Sequence, residues 1–212
     1  VCDVDADRAE TIRERYSAER AYSDYQTMIR EVTPDIVSIA TKPASHADMT
    51  VFAAENGVRG IYCEKSLCCS MEEADRMLHA CKANGVVFNY GAQRRYMPMY
   101  REMRRLAESG ELGELKVTIG CHGGESAALW GHTHTVDVLM FLAGDPDVTT
   151  VQGTAIVDPD EFDNDRIDGD PPIAAAAIQF SNGVWGYVVS RPGSVYEVSG
   201  TNGTLVTTNE AV

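Results

Sequence analysis

The chain has 212 residues, 44% of them hydrophobic and 24% charged, which is typical of a globular protein with room for one large or two modest domains. No apolar run approaches the roughly 20 residues that a transmembrane helix needs, and the net charge of -14 argues against binding to a phosphate backbone. We therefore expect no membrane or nucleic-acid partner. Six cysteines without a C-x-x-C pair favour reduced thiols and a cytoplasmic location.

The first part of the chain alternates short apolar runs of β type with helical patterns. The runs that read as strands lie at residues 35–41, 60–63 and 85–90. Ser45 is a plausible N-cap for the helix after the first run, and Ser70 with Glu73 forms a capping box before the next helix. Alternation of this kind predicts a parallel sheet covered by helices on both faces.

Polar residues follow these strands where the sheet would have its carboxyl edge. Right-handed crossovers place Thr41, Glu64 and Gly91 on that edge, which is where open α/β sheets bind ligands. Glutamate and lysine resist burial unless they are paired or used, so Lys65, directly after Glu64, is a candidate for proton transfer. On spacing alone, a surface lysine that ends a strand is an equal alternative.

The second part of the chain has a different pattern. A helix near residues 98–109 and a short β-type run lead to an apolar helix at residues 136–143. An acidic, proline-containing segment at residues 158–172 reads as a solvated loop without chemistry. The remaining strands are joined by Asn-Gly turns at residues 182–183 and 202–203, the favoured hairpin pairs. This pattern predicts a mainly antiparallel sheet.

The expected fold class is therefore α/β. An incomplete Rossmann-type domain with a parallel sheet would span residues 1–92, and an α+β domain with a mainly antiparallel open sheet would span residues 93–212. The sequence contains no G-x-G-x-x-G turn, whose backbone amides hold the pyrophosphate of a dinucleotide in a complete Rossmann domain. We therefore expect the chain to be an internal fragment of a longer protein.

Several blocks of sequence together carry a family resemblance. In chain order they are Ile39-Ala40-Thr41-Lys42-Pro43-Ala44-Ser45-His46, Cys63-Glu64-Lys65-Ser66-Leu67, Gln93-Arg94-Arg95-Tyr96 with Gly110-Glu111-Leu112-Gly113-Glu114, and His134-Thr135-Val136-Asp137 with Phe141-Leu142-Ala143-Gly144. The set resembles the glucose-fructose oxidoreductase and inositol dehydrogenase (Gfo/Idh/MocA) superfamily of nicotinamide-dependent enzymes over nearly the whole chain. Two positions depart from that pattern. Ser66 stands where the family usually has proline, and Trp130 where many relatives have an aspartate that completes a Lys-Asp-His set.

The resemblance implies hydride transfer between a nicotinamide and a sugar, polyol or similar hydroxylated compound. It implies catalytic roles for Lys65 and His134. Residues that it places against the cofactor are Asp3, Thr41, Lys42, Pro43, His46, Glu64 and Gln93. Residues that it places against the substrate are Arg94, Arg95, Trp130 and His132. Asp3 matches the acidic residue that accepts bonds from the adenosine ribose, which favours NAD over NADP as cofactor.

Simpler roles compete with some of these assignments. Pro43 can set a turn and Ser45 can cap a helix without touching a ligand. His132 and His134 form an H-x-H pair that chelates zinc when a third ligand converges, but no cysteine pair or H-E-x-x-H helix accompanies it, so no metal is expected. One of the two arginines, Arg94 or Arg95, is expected only to pair with acidic surface groups.

Three functions are consistent with the sequence. The first is an NAD-dependent dehydrogenase of a sugar or polyol. The second is a cofactor-binding protein without turnover, which Trp130 in place of aspartate would suit. The third is a glycosidase that uses NAD to oxidise the sugar transiently. The resemblance also implies a homo-dimer or homo-tetramer formed through the open face of the second sheet.

Overall fold

A computed structural model describes residues 1–122, 127–158, 160, 162–163, 166–167 and 169–208. The chain divides into two compact units, Val1–Gly91 and Ala92–Val212, and each is described separately below.

The first unit combines four helices with a small parallel sheet, and two of the helices pack side by side against it. Its elements are α1 (Ala6–Tyr16), α2 (Tyr25–Val32), β1 (Ile36–Ile39), α3 (Pro43–Glu55), β2 (Gly60–Cys63), α4 (Met71–Asn84) and β3 (Val87–Tyr90). The strands lie in the order β1-β2-β3 and both pairs are parallel, as the alternating pattern predicts. A short parallel bridge between Cys2 and Tyr22 lies outside this sheet.

The core of the first unit forms where the helices cover the strands. Val37, Ile39 and Ile61 from the strands are buried together with Ile29 of α2 and Met77 of α4. The alanine-rich inner side of α3 allows this helix to pack closely against both β2 and α4. These contacts fix the strand ends, and therefore the edge on which the polar residues stand.

The helix starts show one correct prediction and one wrong one. Ser70 is the N-cap of α4 and accepts a bond from the Glu73 amide at 3.2 Å, while the Glu73 carboxylate accepts from the Cys69 amide at 2.8 Å. Ser45, by contrast, is not an N-cap, because α3 already begins at Pro43. Proline suits the first position of a helix, since its fixed φ matches the helix and it has no amide hydrogen to leave unpaired.

The second unit is built on a six-stranded sheet with helices on one side. Its elements are a 3-10 helix, η1 (Gln93–Tyr96), then α5 (Pro98–Glu108), β4 (Leu115–His122), α6 (His132–Ala143), β5 (Val148–Ala155), β6 (Phe162–Asp163), β7 (Arg166–Ile167), β8 (Ile173–Phe180), β9 (Trp185–Val189), β10 (Ser194–Gly200) and β11 (Thr204–Thr208). The strand order is β11-β10-β4-β9-β8-β5, and every neighbouring pair is antiparallel except β4 with β9. The predicted α/β class with a mainly antiparallel second sheet is confirmed.

One face of this sheet is covered and the other is open. Helix α6 lies on β4, β9 and β10, and a side chain at Gly120 would come within 2.7 Å of Thr135, so glycine allows this close approach. The opposite face carries Trp185, Tyr187 and Val189, each more than a third exposed. Among the described residues, we find no helix with both the length and the apolar character needed to cross a membrane.

Candidate active site

The carboxyl edge of the first sheet brings together the three predicted strand ends. The Glu64 amide donates to the carbonyl of Ile39 at 2.8 Å, and the Gly91 amide donates to the carbonyl of Cys63 at 2.8 Å. These bonds continue the parallel register one residue beyond the strands. Glu64 therefore lies between the segment that leads to Thr41 and the segment that begins at Gly91, as the sequence predicts.

The carboxylate of Glu64 is held in place by its neighbours. One oxygen accepts from the Lys65 amide at 3.0 Å and the other from the Tyr62 hydroxyl at 3.3 Å. Burial, followed by the negative charge of Glu64, raises the pKa of Tyr62, so the phenol keeps its proton and remains a donor. A Cβ atom at Gly91 would lie 3.2 Å from the Glu64 Cα, so the strand ends approach closely here.

Lys65 stands at the transition from the interior to this edge. Cys63, two residues earlier, is fully buried, and burial is the main reason why its pKa rises to about 12. Its thiol therefore stays protonated and is a poor nucleophile. Lys65 and Glu64 are only partly buried, and Ser66 returns to the interior. A primary amine at such a boundary can hold or release a proton while its stem packs against apolar groups.

The turn after β1 is a compact hydrogen-bonded unit. The Thr41 and Ser45 hydroxyls are 2.9 Å apart, and the Ser45 hydroxyl also donates to the Lys42 carbonyl at 2.9 Å. The ring of His46 lies beneath this turn and has no exposed surface. With Pro43 as the first residue of α3, the backbone of this turn is fixed before any ligand arrives.

A cleft of about 1450 Å³ opens along the free edge of β1. It runs along the whole length of the strand, because the described sheet ends at β1 and no described strand pairs with this side. Asp3 and Arg8 contribute to one end, while Thr41 and Lys42 contribute to the other. Residues that the resemblance assigns to the adenosine ribose and to the nicotinamide half of NAD therefore line the same cavity.

The chemistry of this cleft fits the two ribose ends of a dinucleotide. Asp3 accepts bonds from the Asp5 amide at 2.9 Å and from Arg8 at 3.4 Å, so its carboxylate is oriented, yet about 29% of the side chain is exposed. At the opposite end of the cleft, Thr41 and Lys42 supply polar groups. The sequence has no glycine-rich turn for the pyrophosphate between them.

In the second unit, the predicted substrate residues lie at the start of α6. His132 and His134 are almost fully buried, whereas Trp130, just before the helix, is 63% exposed. Asp170 holds this start, because its carboxylate accepts from the Leu129 amide at 2.7 Å and from the Trp130 amide at 2.9 Å. The sequence missed this role, since a carboxylate 40 residues away gives no local signal, although Asp170 is in the acidic segment taken as a loop without chemistry.

The two arginines of η1 have different surroundings. Arg94 donates to the hydroxyl of the buried Tyr196 at 3.4 Å. Arg95 makes a two-pronged ion pair with Asp137, contacts Asp145 at 3.0 Å and stacks over the ring of Phe141. Burial raises the pKa of Asp137, although the hydrogen bond and charge of Arg95 act in the opposite direction. The hydrogen bond to Asp137 in turn raises the pKa of Arg95. Arg95 is therefore used within the unit, which favours the predicted ion-pairing role for one of the two arginines.

Two remaining predictions concern Gln93 and a metal. Gln93 is exposed at the first position of η1, where it is open to a ligand. Within the part of the chain that the structure describes, no group of three or more His, Cys, Asp or Glu side chains is arranged to hold a metal ion. The side chain of a further histidine, His122, lies outside the described set.

A parallel sheet that alternates with helices and carries polar residues at its carboxyl edge defines the class as a Rossmann-type nucleotide-binding protein. Comparison with protein families agrees, because the family described as "Oxidoreductase family, NAD-binding Rossmann fold" matches residues 1–92. The chain belongs to this family, the Gfo/Idh/MocA oxidoreductases, as the resemblance implies.

Individual relatives agree with this assignment. A scyllo-inositol 2-dehydrogenase (NAD(+)) of Bacillus subtilis (strain 168) is 29% identical over 216 residues, which cover 93% of this chain and 62% of that protein. An inositol 2-dehydrogenase of Salmonella typhimurium is 30% identical over 163 residues, covering 72% of this chain and 48% of that protein. The chain thus spans about half to two thirds of the length of the curated relatives it matches.

Solved structures support the fold. The crystal structure of GenD2 from gentamicin A biosynthesis, in complex with NAD, superposes with a TM-score of 0.83 at 21% identity. The match covers 98% of this chain and 64% of that one. At this level of identity the likeness establishes the fold alone, including both the parallel and the mainly antiparallel sheet.

Proposed function

We propose that this protein is an NAD-dependent oxidoreductase that transfers hydride between the nicotinamide and a hydroxyl-bearing carbon of a sugar or polyol. The observation that carries the proposal is the Glu64-Lys65 pair at the carboxyl edge of the sheet, where the Glu64 amide is bonded to the strand that leads to Thr41. The names of the inositol dehydrogenase relatives support a polyol as the substrate class.

The residues of the first unit have distinct roles in this proposal. Lys65 takes the proton of the substrate hydroxyl at its Nζ as the adjacent C–H bond loses hydride, and returns that proton in the reverse direction. NAD, when bound, supplies the hydride acceptor. Glu64, oriented by Tyr62 and the Lys65 amide, hydrogen-bonds the nearby ribose, while Thr41 contributes to the nicotinamide end.

Lys42, Pro43 and Gln93 keep the cofactor contacts that the resemblance implies. Asp3 binds the adenosine ribose, and its negative charge disfavours the 2′-phosphate of NADP. Arg94, Trp130 and His132 keep the substrate roles, and His134 keeps the catalytic role, that the resemblance implies. For Arg95 the ion pair with Asp137 supports a structural role instead.

The decisive experiment is the substitution Lys65→Met, assayed by NADH formation with a panel of inositols and sugars. We expect a loss of at least about 100-fold in kcat, since positioned acid–base groups contribute about 10²–10⁴-fold. Lys82→Met, on the exposed side of α4, removes an equal charge away from the edge and should leave the rate unchanged.

The same assay separates the alternatives. Product release from a glycoside without net NADH would indicate the NAD-assisted glycosidase, and NAD binding in calorimetry without either product would indicate a binding protein. A fully active Lys65→Met variant would contradict the assignment of the lysine.

We also propose that the protein forms a homo-dimer or homo-tetramer through the open face of its second sheet. On this face the strand register places Ile119 beside Tyr187, which has Trp185 and Val189 on either side along β9, while Glu197 of β10 lies between Ile119 and Val206. The apolar cluster of Ile119, Trp185, Tyr187 and Val189 on an open sheet face supports a protein interface.

A further inference from the structure

His46 is a polar side chain enclosed in the interior of the first unit. It lies in the first turn of α3 and has no solvent-exposed surface. Burial of a polar ring is costly unless its nitrogens are hydrogen-bonded. Its partners therefore indicate what the residue does.

Both ring nitrogens of His46 face backbone carbonyl groups. Nε2 is 3.1 Å from the carbonyl oxygen of Thr41, and Nδ1 is 3.1 Å from the carbonyl oxygen of Leu67. Thr41 belongs to the turn after β1, whereas Leu67 belongs to the segment after β2, two residues beyond Lys65. The ring therefore connects the two segments that carry the polar residues of the sheet edge.

We infer that His46 is a positioning residue: its ring holds the segment that carries Lys65 against the turn that carries Thr41. This inference rests on the proposed function only for the role of Lys65, since the two contacts are independent of any reaction. It replaces the direct cofactor contact that the resemblance implies for His46, because a ring without exposed surface and with both nitrogens at carbonyl oxygens has no atom left for a ligand.

The geometry also distinguishes bonding from simple packing. Nδ1 and Nε2 lie on opposite sides of the ring, so one side chain reaches two carbonyl groups that are 26 residues apart in sequence, Thr41 and Leu67. A neutral imidazole has one N–H and donates to only one of the two carbonyls, and the bond from Nδ1 to Leu67 is the one that links distant segments, because Thr41 is only five residues from His46 in the chain. A leucine of similar size would fill the space but donate to neither carbonyl.

The test is hydrogen–deuterium exchange of the 212-residue chain, with variants His46→Leu and His46→Gln. We expect His46→Leu to raise the exchange rates of the amides of residues 65–69 by about tenfold or more, because the loss of buried hydrogen bonds favours local opening. His46→Gln keeps an amide donor in the interior and should restore part of the protection. Ala53→Gly, a fully buried position of the same helix, is the matched control for general weakening of α3.

A second readout links the contact to turnover. In His46→Leu we expect kcat to fall about tenfold or more, while KM for NAD changes less than about threefold, because the Asp3 end of the cleft keeps its own bonds to Asp5 and Arg8. Ala53→Gly should lower stability without lowering kcat selectively relative to KM for NAD.

Two results would overturn the inference. The first is unchanged protection of residues 65–69 in His46→Leu, and the second is a loss of protection spread evenly over the unit, as in Ala53→Gly. If His46→Leu fails to fold, His46→Gln against wild type decides by the same exchange comparison. Absence of dehydrogenase activity in the full-length protein would contradict the proposed function but leave the exchange result to decide the role of His46.

Discussion

At the end of β2, three consecutive residues pass from the interior to the ligand edge. Cys63 is fully buried, while Glu64 and Lys65 are partly exposed. The backbone of Glu64 is bonded to β1, and its side chain is bonded to Tyr62 and the Lys65 amide. A protonated thiol, an oriented carboxylate and an amine thus stand within one short segment, each fixed by a different local environment.

Burial of Cys63 makes stability sensitive to alkaline pH. Its pKa in the folded protein is about 12 against an ordinary value of 9.0, so the thiol contributes stability that is fully present below pH 9.0 and is lost as pH rises toward 12. Between about pH 8 and about pH 10 the loss should be about 1.4 kcal/mol in the free energy of unfolding.

Urea unfolding at both pH values measures this loss. The comparison variant is Cys63→Ala, which cannot titrate, so that the other alkaline groups cancel. A wild-type protein whose stability falls no more than that of Cys63→Ala would show that the buried thiol is not the cause.

At the scale of elements, the close approach of β3 to the end of β2 gives Gly91 a specific role. A methyl group there would meet the Glu64 Cα and the Lys65 amide nitrogen, each at 3.2 Å. Gly91→Ala should therefore displace the Glu64-Lys65 segment and destabilise the unit by about 1–3 kcal/mol, the usual cost of overpacking. Thermal unfolding and the rate of NADH formation would measure the two effects.

A second glycine of the same sheet provides the control. At Gly60, the first residue of β2, an added methyl group would lie 3.5 Å from a side-chain carbon of Ile36, which is an ordinary contact. Gly60→Ala should change stability by less than about 0.5 kcal/mol. Equal effects of the two substitutions would contradict a special packing role for Gly91.

The elements also show which features the sequence could predict. Alternation of apolar runs and helices correctly predicted that β1, β2 and β3 form a parallel sheet, because parallel pairing depends on local pattern and on the right-handed crossover rule. The start of α3 was predicted three residues late, since Ser45 is a good cap by type whereas the observed N-cap is Lys42 and Pro43 begins the helix. The cap of Ser70 on α4 was predicted correctly because its signal is entirely local.

Contacts between residues far apart in the chain could not be predicted from the sequence. The Arg95–Asp137 pair joins residues 42 positions apart, and the bonds from Leu129 and Trp130 to Asp170 span about 40. Neither leaves a periodic or capping signal. The residue types of the candidate site were therefore predictable from motif and resemblance, but the partners that orient them required the folded chain.

At the scale of the whole molecule, the open face of the second sheet supports self-association. Trp185 and Tyr187 stack with ring centroids 6.3 Å apart, and both remain 37% exposed. Tyr187→Glu places a charge in the centre of this surface, and we expect the dissociation constant of the oligomer to rise at least about tenfold, because aromatic residues dominate interface energy. Light scattering after size-exclusion chromatography at micromolar concentration measures the mass.

Tyr16→Glu on α1, where the tyrosine is 66% exposed, is the control and should leave the mass unchanged. A wild-type chain that elutes as a monomer, or a Tyr187→Glu variant that keeps the wild-type mass, would count against this face as the interface.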